Sequence, residues 1–484
     1  MTATDQYEKL ACSFFNNSLE SLVSVVLASG ATFGLVNPSA AMSAILEGAP
    51  QCALSLPPPA SLSSAITASE MVEVYAQVVA RDVSFIDYST DATITSLLGV
   101  TRLNAPGILT NLPDIPSNPF TALTIFRGNA VGCTLGPHIS QLFLLNVPTA
   151  STTSFLQQYT TYLPRFASRV EWGISATEMI GIQNGIPSGP VPALDTPKYI
   201  YNGRTLAEAV HNDAVYQYYY QATLILLGLG AATNSTFPSY ANQDPFITNA
   251  GVVNILTALS AVAKLALKHA WYWKWAKYRR LRPEVYSLWV HNVLSIPSVV
   301  PNSANYDLST VVLTNLITTI DIPAINVGWG TVPTTYTLPL TFRSGSPSHP
   351  SYPAGHAVLS GACATILKMF FDGEVVWTTL SAVVEANTAG DTLVPFGGST
   401  AGMTVGTEIN KLASNIVLGR DWAGVHYRTD GTKGMDLGEQ IAMKYMGDLL
   451  SVSPENNLPG NTPPAIVFRQ FNGELATVVP TTCQ

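Results

Sequence analysis

Three short blocks in the C-terminal half of the chain gather residue types that can hold a small polyanion. KWAKYRRLRPE (274–284) supplies Lys274 and Arg282. SHPSYPAGHA (348–357) supplies Ala354, Gly355 and His356. GRDWAGVHYRTD (419–430) supplies Arg420, His426 and Asp430. A tetrahedral oxyanion needs cations to balance its charge, backbone N–H groups to reach its oxygens, and an imidazole to bond its central atom. The three blocks together meet that need.

Each block implies a local geometry. Lys274 and Arg282 lie eight residues apart, a little over two helical turns, so both can lean to one side. Pro283 is expected to end that helix at Arg282 and so to aim the guanidinium. Taken alone, this block also fits a solvated basic helix end. Pro353-Ala354-Gly355 forces a turn, and His356 opens the next helix, where free N–H groups can meet an anion. There His356 is a candidate general acid/base. Arg420 and His426 are six apart, which a continuous helix does not align. A break near Gly424 would turn His426 back toward Arg420. Asp430, four residues on, can hold the imidazole N–H and fix its tautomer.

These blocks sit among helical patterns. Apolar residues recur at helical spacing in 70–86, 207–232 and 252–280, and HAVLSGACATILKMFF (356–371) begins a helix after the turn. Residues 406–450 read as two helices broken near Trp422–Gly424. SLVSVVLASGATFGLV (21–36) is too short for a bilayer and is expected to be a buried core helix. Pro and Gly cluster into loops at 57–64, 184–203, 328–353 and 453–464. Short strands are expected in 328–342 and near 466–480. The loop at 184–203 divides an N-terminal helical layer (1–200) from a C-terminal catalytic bundle (201–484), and the two are not expected to fold independently.

Composition narrows the function classes. Only 11% of the 484 residues are charged, against about 25% in an average soluble protein. Apolar residues reach 47% and mean hydropathy is +0.24, so the chain must hide apolar surface in a compact helical fold, an oligomer, or both. Net charge is −8, with no basic tract outside 274–282, which excludes nucleic acid as a partner. The five cysteines include no C-x-x-C pair, which argues against a disulfide scaffold and a structural zinc site. Cys12 and Cys483 could link chains, but free thiols are expected. MTATDQYEKLACSFF shows no secretory signal and no segment reads as membrane-spanning, so the cytoplasm is the default compartment.

The order Lys, Arg-Pro, Pro-x-Gly-His, Arg, His resembles the vanadium-dependent haloperoxidases and related acid phosphatases. Several segments match the algal and cyanobacterial bromoperoxidase branch: the eight-residue Lys-to-Arg spacing, TVGTEINKLASNI (404–416), FRGNAVGCTLGPHISQLF (126–143) and HNDAVYQYYYQATLILLG (211–228). The resemblance spans about residues 120–450 and implies an all-α fold of two four-helix bundles, with a few short strands in loops. It implies vanadate as cofactor, bonded axially by His426 and held by Lys274, Arg282, Arg420 and the Gly355 N–H. His356 would help bind and deprotonate hydrogen peroxide, and Lys274 would polarise it. Halide would be oxidised to hypohalous acid, which halogenates small organic substrates, and the chain would form a dimer or larger homo-oligomer. His349 falls where the bromoperoxidases have His and the fungal chloroperoxidases have Phe, and Trp271 fits an aromatic position on the halide side. Both lean toward bromide, with iodide also oxidised. The family has Ser where this chain has Ala354, which removes one hydroxyl donor worth about 1–3 kcal/mol. An acid phosphatase with His426 as nucleophile is the alternative, since phosphate shares vanadate's shape and charge. A helical assembly protein with a relic site is the other.

Overall fold

A helix that is apolar on every side must be covered on every side. Helix α11 (Gly355–Phe370) is that case: all of its residues except His356 are buried. The chain reaches it through Ala354, whose extended backbone serves as the N-cap.

The computed structural model describes the chain except residues 1–3, 33, 44, 151, 161–170, 190, 192, 238–243, 296–334, 453–464 and 482–484. Ahead of α11 come α1 (Thr4–Phe15), α2 (Leu19–Val23), α3 (Ala65–Ala80), α4 (Ala92–Leu97), α5 (Pro106–Leu109), α6 (Ala176–Gln183), α7 (Gly203–Ala209), α8 (Gln217–Gly228), α9 (Val252–Trp271) and α10 (Pro283–Ser295). After it come α12 (Val405–Trp422) and α13 (Arg428–Ser451). Among the described residues, strands form only three two-stranded antiparallel pairs: β1 (Val147–Ala150) with β2 (Thr153–Phe155), β3 (Val384–Ala386) with β4 (Leu393–Pro395), and β5 (Ile466–Arg469) with β6 (Leu475–Val478). The fold class is all-α.

Helices α9, α11, α12 and α13 pack on one another as a bundle. The α11–α13 contact is nearly backbone to backbone. A Cβ at Gly361 would sit 2.2 Å from the Met435 carbonyl, and one at Gly438 would sit 2.1 Å from the Val358 carbonyl. Even alanine would push these helices apart. Thr404 and Thr407 cap α12 reciprocally: each hydroxyl accepts from the other residue's backbone N–H. The helix ends at Trp422, and Gly424 turns the chain at φ +80° before α13 begins. This is the break expected near Trp422–Gly424. One apolar core runs through side chains from Leu54 to Val478, and Leu10, Leu22, Ala41 and Trp275 form a smaller cluster under the N-terminal helices.

Several expectations are corrected. The stretch 252–280 is not one α-helix: α9 passes into a π-helical turn at Tyr272–Tyr278, which ends at Arg279 in left-handed backbone at φ 47°. Pro283 does not end a helix at Arg282. It starts α10, where its missing N–H costs nothing. The pattern 207–232 splits into α7 and α8, with polar His211, Asn212 and Asp213 in the gap. The segment 21–36 is not a core helix. Only Leu19–Val23 is helical, Leu22 alone of those five is buried, and Val23 and Val26 are exposed. Ser24 ends the helix and Gly30 turns the chain at φ +84°, so the apolar run never gains a second turn against the core. The strand near 466–480 is β5–β6. In 335–342 only an isolated bridge from Leu340 to Trp172 forms, and 328–334 and the loop 453–464 lie outside the described residues. The pairs β1–β2 and β3–β4 carried no recognised signal.

Cys12, Cys52, Cys133 and Cys363 are free thiols, and Cys483 lies outside the described residues. The stretch Val252–Ser295 is long and apolar enough by composition to cross a membrane, but α9 within it packs against α11 and α13.

Candidate functional site

The site lies where the π-helical turn, the loop before α11, and the α12–α13 turn converge. The π turn widens the helix and leaves Lys274 fully buried. Its Nζ donates to the carbonyls of Pro350 (2.6 Å) and Ser351 (2.8 Å). Arg282, just before α10, donates through Nε to the His349 carbonyl (3.0 Å) and through Nη1 to the Val425 carbonyl (2.7 Å). Arg420, near the end of α12, donates through Nη1 to the Val210 carbonyl (2.6 Å). Its Nε is buried with no hydrogen-bond partner among the described residues, and its guanidinium lies 5.3 Å over the Phe342 ring.

These three cations have no carboxylate as a hydrogen-bond or ion-pair partner among the described residues, and their acidity shows the consequence. Burial, then the neighbouring Arg282, pushes the Lys274 ammonium well below its usual range. Burial, then Arg420, pushes Arg282 down to about 10. Burial brings Arg420 to about 10 although Asp213 opposes it. A buried cluster of positive charge this poorly balanced is stabilised by any small anion that enters it.

His426 sits against this cluster with its two ring nitrogens distinguished. Nδ1 is 2.9 Å from Asp430 Oδ2, and Nε2 is 2.8 Å from Arg282 Nη1. A guanidinium can only donate, so Nε2 carries the lone pair and Nδ1 carries the proton. Asp430 also accepts from Ser351 Oγ, the Tyr427 N–H (3.2 Å) and Arg280 Nη1 (2.8 Å). Burial alone would raise its pKa, but Arg280 and His426 hold it far below the usual carboxylate range.

Ala354, Gly355 and His356 form the N-terminus of α11. No side chain caps that end, where a serine hydroxyl would. The N–H groups of Gly355 and His356 precede the first intrahelical donor, Ala357. Gly355 keeps room for Trp271: a Cβ there would lie 3.2 Å from its ring. His356 Nε2 is 2.9 Å from Asp213 Oδ1, and burial keeps the imidazole below its usual pKa although Asp213 opposes this. Trp271 tilts against His349 with ring centroids 4.8 Å apart, and His349 Nδ1 is 3.1 Å from Arg282 Nη2. Burial, then Lys274 and Arg282, keep His349 well below the usual imidazole pKa.

The anticipated residues thus fall in one region of the structure. Lys274 and Arg282 converge by a different route from the one expected, through a π turn and a left-handed residue rather than along one helix face. Asp213, Ser351, Arg280, Glu70 and Phe342 also belong to the site and its support. Asp213 stands in the polar gap HNDAV, and Glu70 and Glu73 are the two charged residues of α3. These charges stand in the sequence, but nothing there names their partners. Nothing in the sequence pattern marks Phe342.

Comparison with known proteins follows the same lines. Residues 328–452 match the family profile described as the VCPO second helical-bundle domain. The chain is 34% identical over 454 residues to a vanadium-dependent bromoperoxidase of Ascophyllum nodosum, covering 91% of this chain and 77% of the relative. It is 30% identical over 484 residues to that of Corallina pilulifera, covering 88% and 78%. In structure it matches the homohexameric second vanadate-dependent bromoperoxidase of Ascophyllum nodosum with a TM-score of 0.86 at 28% identity, over 99% of this chain and 82% of that one.

Proposed function

The chain belongs to the vanadium-dependent haloperoxidases, and from that premise we propose that its buried cationic cluster holds vanadate with His426 as the one protein ligand. The protein is an oxidoreductase that uses a vanadate cofactor and hydrogen peroxide to oxidise halide. The observation that carries the site assignment is the His426 Nε2 lone pair against the Arg282 guanidinium, in a region that also buries Lys274 and Arg420, whose Nε has no partner among the described residues. That donor set fits a tetrahedral oxyanion with one open position at its central atom.

When bound, vanadate at its highest oxidation state supplies Lewis-acid activation of peroxide toward halide. The protein's own groups do the rest. Asp430 keeps the proton on His426 Nδ1, so Nε2 remains a ligand and the ring cannot flip. Lys274, Arg282 and Arg420 balance the charge of the anion, and the Gly355 N–H adds a donor at the helix N-terminus. Lys274, with two of its three donors on carbonyls, keeps one N–H for an oxygen of the anion or of peroxide. His356, neutral because it is buried, directs Nε2–H at Asp213 and leaves Nδ1 to accept a proton from incoming hydrogen peroxide.

Bromide is the favoured halide, with iodide also oxidised. His349 against Trp271 supports this, as do relatives named bromoperoxidases. Hypohalous acid then halogenates small organic acceptors. We infer a homo-oligomer: the structural neighbour is a homohexamer, and Phe15 and Leu46 are 92% and 97% exposed in the single chain.

The test is steady-state bromination at saturating vanadate with His356→Ala and His349→Ala. His356→Ala should lower kcat about 10²–10⁴-fold, as loss of general acid/base catalysis does. His349→Ala should alter the bromide KM and the ranking of bromide against chloride. Unchanged kinetics in either variant would remove that residue's assigned role.

A further inference from the structure

Asp430 is held more firmly than a hydrogen bond to His426 requires. Its Oδ1 accepts from Arg280 Nη1 at 2.8 Å, while Oδ2 accepts from Ser351, the Tyr427 N–H and His426 Nδ1. Arg280 is itself clamped. Its Nη2 donates to Glu70 Oε2 at 2.8 Å, and its plane lies 4.0 Å over the Tyr427 ring. Glu70 in turn accepts at Oε1 from the Thr429 N–H (2.7 Å) and hydroxyl (2.6 Å). Arg280, Glu70 and Asp430 are all almost completely buried. The Ser351 N–H donates to the Arg280 carbonyl, so the loop that presents Ser351 is tied to the same residue.

We propose that Arg280 is a positioning residue for the cofactor ligand: it anchors one oxygen of Asp430 so that the other stays on His426 Nδ1, with Glu70 of α3 fixing Arg280. The proposal rests on the assignment of His426 as the vanadium ligand. A carboxylate anchored at both oxygens cannot rotate, and the imidazole it carries is aimed. Asp430 with only Ser351 and the Tyr427 N–H could swing toward the unbalanced Lys274, and His426 would lose both its tautomer and its direction. An N-terminal helix thereby reaches the ligand at the other end of the chain through two ion pairs.

Vanadate and phosphate separate this role from a merely structural one. Both anions have the same shape and charge, and both accept from the three cations. Only vanadate takes a bond from the His426 nitrogen at its central atom. The experiment measures dissociation constants for orthovanadate and for orthophosphate on the vanadate-free full chain by equilibrium dialysis. The variants are Arg280→Lys, Arg280→Met, and Glu70→Gln/Arg280→Met, the last avoiding a stranded glutamate. Melting temperatures are recorded beside them.

The vanadate constant is expected to rise about 10–100-fold in Arg280→Met and in the double variant, as loss of an outer partner of a metal ligand does. The phosphate constant should stay within about threefold, and Arg280→Lys should recover part of the vanadate affinity. Vanadate binding within about threefold of the parent in the folded variants would overturn the proposal. So would an equal loss of both anions with a lowered melting temperature, which is the signature of a scaffold residue. His426→Ala is the control. If it binds vanadate as the parent does, the ligand assignment fails as well; if only it loses vanadate, the Arg280 proposal alone fails.

Discussion

Two buried clusters of basic residues lie side by side in this protein, and they are balanced in opposite ways. Arg280 and Arg428 meet carboxylates directly: Arg280 meets Glu70 and Asp430, and Arg428 meets Glu73 through two nitrogens. Their pKa values are raised despite burial, because the paired charges outweigh desolvation. Lys274, Arg282 and Arg420 are just as buried but turn to carbonyls, histidine rings and the Phe342 ring, and all three are lowered. Sign of charge and burial are the same, so the partners make the difference. A matched cluster is complete without a ligand. An unmatched one is a site waiting for an anion, and its cost is offset only when the anion arrives.

The comparison can be broken at several points, in descending size of effect. His426→Ala removes the proposed ligand from the unmatched cluster, and vanadate-dependent bromination should fall to background, with phosphate binding retained. Retained bromination would mean that the cations alone suffice. Glu73→Ala strands Arg428 in the matched cluster and should cost about 3–5 kcal/mol in denaturant unfolding, while the protein that remains folded keeps its vanadate affinity. Arg420→Met takes one charge from the unmatched cluster. It should leave stability unchanged or raise it, and should weaken vanadate by about 1.5–3 kcal/mol in a dialysis titration, the worth of a hydrogen bond to a charged group. A drop in stability as large as that of Glu73→Ala would erase the distinction between the clusters. Ala354→Ser restores a hydroxyl at the open end of α11. It should tighten vanadate by about 1–2 kcal/mol, since both a cap and an anion donor are gained. No change would show that the oxygen is already satisfied.

The unmatched cluster was legible in the sequence and the matched one was not. Lys274, Arg282, Arg420 and His426 stand out because cations and histidines are rare in a chain with 11% charged residues, and their order resembles a known family. Arg280 lies between two such residues and looks like one more member of a basic run; only its contact with Glu70, far away in the chain, gives it a role. Asp213 was hidden for a related reason. The pattern 207–232 reads as one helix because its apolar spacing continues, and the gap that frees Asp213 for His356 is a tertiary choice. The π turn is of the same kind: an extra residue per turn leaves no mark in a Trp- and Lys-rich stretch, yet it is what buries Lys274. The break at Gly424, by contrast, was readable.

The most direct measurement titrates orthovanadate into vanadate-free protein and follows bromination of monochlorodimedone at fixed peroxide and bromide. An unmatched cationic cluster built around His426 predicts no bromination without vanadate and a rise that saturates at one vanadate per chain. Full bromination in vanadate-free protein, or none at any vanadate concentration, would contradict it.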